Sequence, residues 1–517
     1  MRSTASFVLC LALATASSMT AAARNATVFQ FLEKPGPHAV GLKVVDQYDF
    51  SRVYRNLTDD LGKPYSGERA RPLQTLIWYP AEKSVAKPMT VGDYIGLLAT
   101  ETSFDKPLPP ADVQAKVAEI TLAPATPMWA VRDAPMKPGH FPVVIYAPSF
   151  SNTSWENADL CEYLASYGYV VVAGPDMGAN TREMTSDVVG VNAQARDISF
   201  LISYARSLPG ADLSEIAVAG YSWGGISNLF AAARDNRIDA LVALDGSMRY
   251  YPELVEKAGD VHPEEMTLPL LFFTQREITL EDAVKFHQTG PSVLNEWTHG
   301  DLVTAHMVGM THGEFSSRGQ RRRDVRNASH EEGPDDYSRE EIIASYSWVA
   351  RYTLEFLDAY LKHDAAAMTF LKKTPEENGV PRHLMSVDFR VAKGLPPSLA
   401  SFREELGRQG FDHAAEVYST VQKENHGFKL EESEINTWGY ELMSQDHLPE
   451  AIALFKLSLQ NFPDSGDSYD GLGEAYMKSG QEQLAIESYT KSLEKNPDND
   501  NAKQKLKELK SAPPTAK

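Results

Sequence analysis

Within AVAGYSWGGISN, a serine sits between two glycines, at Gly220-Tyr221-Ser222-Trp223-Gly224. The run EIAVAG before it reads as a buried strand, and GISNLFAAARD after it as a helix. A serine on a sharp strand-to-helix turn is presented at the end of a sheet, and flanking glycines relieve the crowding of that turn. The helix start also aims backbone N–H groups at the site, which favours a developing negative charge. Alone, a G-x-S-x-G pattern describes many tight turns. In strand–turn–helix context it predicts that Ser222 is a nucleophile.

A serine hydroxyl needs a base, and the base needs an orienting acid. Asp245 closes the next strand, DALVALD, on the same sheet edge. An aspartate there could equally cap a helix or a turn. Glu277 follows the next strand, LPLLFFTQ, and competes for the role, with Asp282 a weaker candidate. Three histidines come later: His299, His306 and His312. In the order serine, acid, histidine, the base lies beyond the last strand. Reading AHMVGMTH as that strand puts His306 at its start, as a structural histidine, and His312 in the loop at its end. His299 falls on the opposite edge or in a loop. The oxyanion donors expected from this arrangement are the N–H of Trp223 and one from the loop PSFSNTS, where Phe150 and Ser151 are placed for it.

These residues need a scaffold. From FPVVIYAPS to LPLLFFTQ, short continuous apolar runs alternate with amphipathic segments such as NAQARDISFLISYARSL. That alternation predicts a mostly parallel sheet with helices on both faces. HAVGLKVVDQYDF and RPLQTLIWYPA are strand-like runs ahead of it. Between residues 85 and 140 the chain is irregular, with one helix near Ala111 to Glu119. The long helix ASYSWVARYTLEFLDAYLKHD is expected to close the unit.

Beyond residue 395 the texture is helical and periodic. Gly439 matches Gly473, Ala451 matches Ala485, Phe455 matches Tyr489 and Pro463 matches Pro497, all at an offset of 34 residues. That period, with small residues where helices touch and a closing proline, is the tetratricopeptide pattern. A weaker unit, RQGFDHAAEVYSTV, places Ala414 and Tyr418 like Ala451 and Phe455.

The chain has 517 residues and a formal charge of −20, from 50 basic and 70 acidic side chains. That length predicts more than one domain. That charge argues against a nucleic-acid partner, because phosphate neutralisation needs basic residues in excess. Arg321-Arg322-Arg323, flanked by acids, reads as a solvated loop. The opening MRSTASFVLCLALATASSMTAAARNATV has an arginine, an apolar run from Phe7 to Ala14 and an A-x-A site, the pattern of a secretory signal. Cleavage after Ala23 would remove Cys10 and leave Cys161 without an intrachain partner. No other run is long enough to span a bilayer. The expected organisation is a signal peptide over 1–23, a catalytic domain over 24–394, helical repeats over 395–510 and a disordered tail over 511–517. The expected location is secreted or periplasmic.

With Ser222, Asp245 and His312 in hand, the chain resembles the α/β-hydrolases. More narrowly, it resembles the plasma-type platelet-activating-factor acetylhydrolases within the dienelactone-hydrolase-like group, over about residues 35 to 365. GPHAVGL, LQTLIWYPAEK, DYIGLLA and the segment from FPVVIYAPSF to VVVAGPD carry the resemblance, with Gly-x-Ser-aromatic-Gly-Gly at the turn. The resemblance implies Asp245, in VALDGS, as the acid in preference to Glu277. It implies His312, with Phe315, as the base and Phe150 as the second oxyanion donor. It also implies a short-acyl ester as substrate and no metal or organic cofactor. One departure stands out. The family's oxyanion loop carries His-Gly and a second glycine, where this chain reads Pro148-Ser149-Phe150-Ser151. The repeats are an addition to the family pattern and are expected to bind a partner protein or a second copy. Two other readings keep the same residues: an amidase or polyester hydrolase, or a non-catalytic scaffold for the repeats.

Overall fold

The computed structural model describes residues 29–276, 284, 292–322 and 337–511, apart from positions 60, 102, 105, 122, 395 and 425–427. The expected signal segment with Cys10, the alternative acids Glu277 and Asp282, Arg323 and residues 512–517 lie outside the described residues. The chain divides into two compact units, Met1–Gly394 and Leu395–Lys517.

The first unit is built on a ten-stranded sheet ordered β10-β9-β8-β7-β6-β4-β5-β2-β1-β3. Its strands are β1 (Ala39–Val53), β2 (Ala70–Ala81), β3 (Ala130–Arg132), β4 (Phe141–Ala147) and β5 (Val170–Ala173). They continue as β6 (Ala211–Tyr221), β7 (Ala240–Leu244), β8 (Leu270–Thr274), β9 (Leu302–Met307) and β10 (Met385–Arg390). From β5 through β4 to β9 the pairing is parallel, while β2 joins β5, and β10 joins β9, antiparallel.

The continuous apolar runs follow from cover on both faces. Successive strand residues point to opposite sides. Val144, Tyr146, Ala217, Ala219, Val242 and Leu244 enter one core with helices Ala158–Ser166 and Arg339–Leu361. Val143, Ile145, Ile216, Val218, Leu241 and Ala243 enter a second core with Val188–Ala205 and Trp223–Ala232. In chain order the helices used below are α1 (Val91–Gly96), α2 (Pro110–Ile120), α3 (Ala158–Ser166), α4 (Val188–Ala205), α5 (Trp223–Ala232), α6 (Arg339–Leu361) and α7 (Ala365–Lys372).

Several boundaries differ from the sequence expectation. The strand expected over AHMVGMTH lies earlier, so His306 is its penultimate residue and not its first. The helix expected near Glu156 begins at Ala158. α6 does not close the unit: α7 and β10 follow, and β10 covers the edge of β9. The run VDFR is short and only half apolar, so it carried a weak strand signal; pairing with β9 supplies what propensity does not.

The second unit is all helical. Its helices are α8 (Leu399–Gln409), α9 (Ala414–Glu424), α10 (Glu432–Ser444), α11 (Leu448–Asn461), α12 (Gly466–Lys478), α13 (Glu482–Lys495) and α14 (Asp500–Ser511). Phe455 of α11 packs where a Cβ on Gly439 would lie 2.8 Å from its ring, and one on Gly471 2.4 Å away. The small residues of the repeat thus mark close helix approach. α14 takes in Ser511, the first residue of the expected tail.

Candidate active site

The C-terminal ends of the parallel strands collect the sequence-predicted residues on one sheet edge. β6 runs directly into α5 through Ser222, which holds φ 54° and ψ −114°. That backbone is costly for a residue with a side chain and persists only where its surroundings enforce it. The glycines supply the room. A Cβ on Gly224 would lie 2.1 Å from the Ala147 carbonyl oxygen, and one on Gly220 2.4 Å from the Gly224 backbone. The Ser222 N–H donates to Leu244 O, and the Ser222 carbonyl accepts from Gly225 and Ser247, so both sides of the turn are tied down.

Asp245 follows β7, and His312 follows β9 in a short 3-10 turn, His312–Phe315. His312 Nε2 lies 2.8 Å from Ser222 Oγ, and its Nδ1 lies 2.5 Å from Asp245 Oδ2. Asp245 is fully buried. Its Oδ1 accepts from the Tyr250 hydroxyl at 2.6 Å and from the Gln275 N–H at 3.2 Å. Burial first, then the facing carboxylate, raises the Tyr250 phenol well above its ordinary range, so it stays a donor. The Tyr221 hydroxyl holds the His312 carbonyl at 2.6 Å. The ring is therefore fixed from both ends.

The other histidines lie elsewhere. His306 stands on β9 between Thr274 and Ser386. His299 precedes β9, at the opposite strand end, with Nδ1 2.7 Å from Gly394 O.

Trp223 is the first residue of α5, where no carbonyl of the helix accepts its N–H. The Phe150 ring packs edge-on against the Trp223 ring at 5.3 Å, which brings the β4 loop beside the turn. On the His312 side lies a cavity of about 210 Å³, lined by Ser149, Asn152, Glu156, Ser316 and Arg318 among others. Phe150 and Tyr251 are exposed, and both pack edge-on against the Trp223 ring. Burial lowers the Arg318 guanidinium from its ordinary value, against the opposing pull of Glu156. Among the described residues no cluster of His, Cys, Asp and Glu has metal-binding geometry, and no helix is long and apolar enough to cross a membrane.

Sequence reasoning passed over Tyr250, Glu156 and Asp176. Tyr250 lies in GSMRYY, where nothing periodic marks it. Glu156 was visible only as an expected helix start, and Asp176 only as the polar end of YVVVAGPD.

Comparison with known proteins gives the same fold. The Chlorophyllase family model matches residues 105–247, and the tetratricopeptide repeat model matches residues 466–499. A putative carboxymethylenebutenolidase from Methylorubrum extorquens is 26% identical over 131 residues, 23% of this chain and 45% of that protein. The chain thus spans less than half of that relative's length. A ferulic acid esterase from Streptomyces cinnamoneus superposes with a TM-score of 0.51 at 19% identity, covering 70% of this chain and 99% of the esterase. The first unit has the α/β-hydrolase fold, and the second carries tetratricopeptide-type helical repeats.

Proposed function

We propose that the chain is a secreted serine hydrolase that cleaves carboxylic esters, with Ser222, His312 and Asp245 as its triad. The observation that carries this reading is the unbroken hydrogen-bonded path from Ser222 Oγ through both ring nitrogens of His312 to the buried Asp245. The likeness to a Chlorophyllase model, a putative carboxymethylenebutenolidase and an esterase fold supports it.

His312 Nε2 takes the Ser222 proton as Oγ attacks the ester carbonyl. Asp245, held on its other oxygen by Tyr250 and Gln275, fixes the tautomer and stabilises the imidazolium. The N–H groups of Trp223 and Phe150 hold the tetrahedral oxyanion. Collapse breaks the bond to the alcohol, which leaves with the proton from His312. Water then attacks the acyl-enzyme, gives its proton to His312, and releases the acid as Ser222 recovers its hydrogen. The chemistry calls for no cofactor. Short acyl esters are the expected substrates.

A fluorophosphonate probe tests the reading. It labels Ser222 in the native chain and fails to label Ser222→Ala, which also loses hydrolysis of p-nitrophenyl acetate. Activity that survives the substitution sinks the triad, and absence of both labelling and activity in the native chain favours a scaffold whose repeats bind a protein. N-terminal sequencing of exported protein tests cleavage after Ala23.

A further inference from the structure

The loop after β4, from Pro148 to Thr153, has no glycine, and the proposed hydrolysis asks it to present one backbone N–H to a reacting carbonyl. Ser151 in this loop holds φ 52°, a left-handed conformation that costs energy without glycine. Two buried carboxyls stand beneath it. Glu156 accepts from the Ser149 N–H at 2.7 Å, from the Ser149 hydroxyl at 2.6 Å and from the Asn152 side-chain amide. Asp176, in the segment after β5, accepts from the Ser151 N–H at 2.7 Å. Glu156 and Asp176 are 1% and 0% exposed.

Two further amides of the loop are also occupied. Pro148 has none, Asn152 donates to Ser149 O, and Thr153 donates to Asn152 Oδ1. The Phe150 N–H is the one amide of 148–153 that donates to no acceptor among the described residues. It lies between the two amides that the carboxyls hold. The loop is secured further by Met184 N–H on Ser151 Oγ and by Gln194 on the Pro148 carbonyl.

We propose that Glu156 and Asp176 are positioning residues for this glycine-free loop: they hold a strained backbone so that the Phe150 N–H faces the oxyanion. The inference rests on the proposed ester hydrolysis. Glu156 meets donors only, so its ionised form fits the site. Burial raises it to about 7, partly offset by the Ser149 hydrogen bonds and the charges of Arg318 and His312. Asp197, Arg182 and Arg71 face Asp176, whose carboxyl burial raises strongly.

The test is kcat and KM for p-nitrophenyl acetate from about pH 5 to 9. Glu156→Gln keeps the shape but turns an NH2 toward existing donors. It should lower kcat about ten- to a hundredfold with KM nearly unchanged, the size of effect expected for a misplaced oxyanion donor. It should also remove the Glu156 component of the acid limb of the pH profile. Asp176→Ala should lower kcat similarly, and adding Ser151→Gly should restore most of it, since glycine adopts the required φ unaided. A Glu156→Gln enzyme within twofold of wild type overturns the proposal, as does a loss confined to KM or a folded Asp176→Ala enzyme that Ser151→Gly does not rescue. Glu156→Gln carries the test if Asp176→Ala does not fold. Failure of the underlying reading shows separately, as full activity in Ser222→Ala.

Discussion

Tyr250 donates its hydroxyl to Asp245 Oδ1 at 2.6 Å, on the carboxylate oxygen that His312 does not use. The acid is thereby held by a side chain five positions further along the chain. Buried carboxylates are stable only when such donors replace water. Tyr250→Phe should leave the fold intact and lower kcat several-fold, consistent with one hydrogen bond worth about 1 kcal/mol. Steady-state kinetics of the purified variant checks this, and an unchanged kcat removes Tyr250 from the site.

Asp245→Asn should cost far more. The amide preserves the packing but can turn an N–H toward Nδ1 and so favour the wrong tautomer. A loss of about 10³- to 10⁴-fold in kcat is expected. A loss below about tenfold would return the acid to the region of Glu277.

Gly224→Ala tests the turn itself. Its methyl would meet the Ala147 carbonyl oxygen at 2.1 Å, a backbone atom of the neighbouring strand that cannot swing aside. We expect about 2–3 kcal/mol lost in stability, together with loss of fluorophosphonate labelling. Thermal melting and labelling read the two effects.

Glu162 gives a pH-dependent prediction. It is buried, accepts from the Tyr94 hydroxyl and the Trp129 N–H, and burial raises its carboxyl from 4.5 to about 7. The folded chain therefore holds a proton that the unfolded chain has released, so stability falls as pH rises from about 4.5 to 7. Glu162→Gln mimics the protonated form and should flatten that part of the stability curve. Urea melts of both proteins across this range decide it.

In the repeat unit, Gly471→Val should press on the Phe455 ring, which a Cβ there would approach to 2.4 Å. Overpacking of this kind costs about 1–3 kcal/mol. Hydrogen exchange should quicken over 432–495, while Ser222 remains reactive to the probe.

Much of the fold was legible because its signals are local. A strand covered on both faces must be apolar throughout, and a repeat must place small residues wherever helices cross. Boundaries were less legible. AHMVGMTH looks like one strand, but the pairing with β8 stops at His306 and that with β10 at Met307. β10 lay hidden because its residues are half polar, as an edge strand allows.

The sequence by itself determined that Ser222 stands on a strand-to-helix turn and placed His312 beyond the last strand; strand position left Asp245, Glu277 and Asp282 open as the acid, and the family resemblance favoured Asp245. The sequence also determined the helical repeats through their 34-residue period. Only the tertiary structure decided that His312 bridges Ser222 and Asp245, that Tyr250 holds the acid's second oxygen, and that Glu156 and Asp176 support a loop without glycine. Those relationships join residues from separate elements. Hydrogen-bond distance between them depends on how whole strands and helices pack, which no local pattern in the chain encodes.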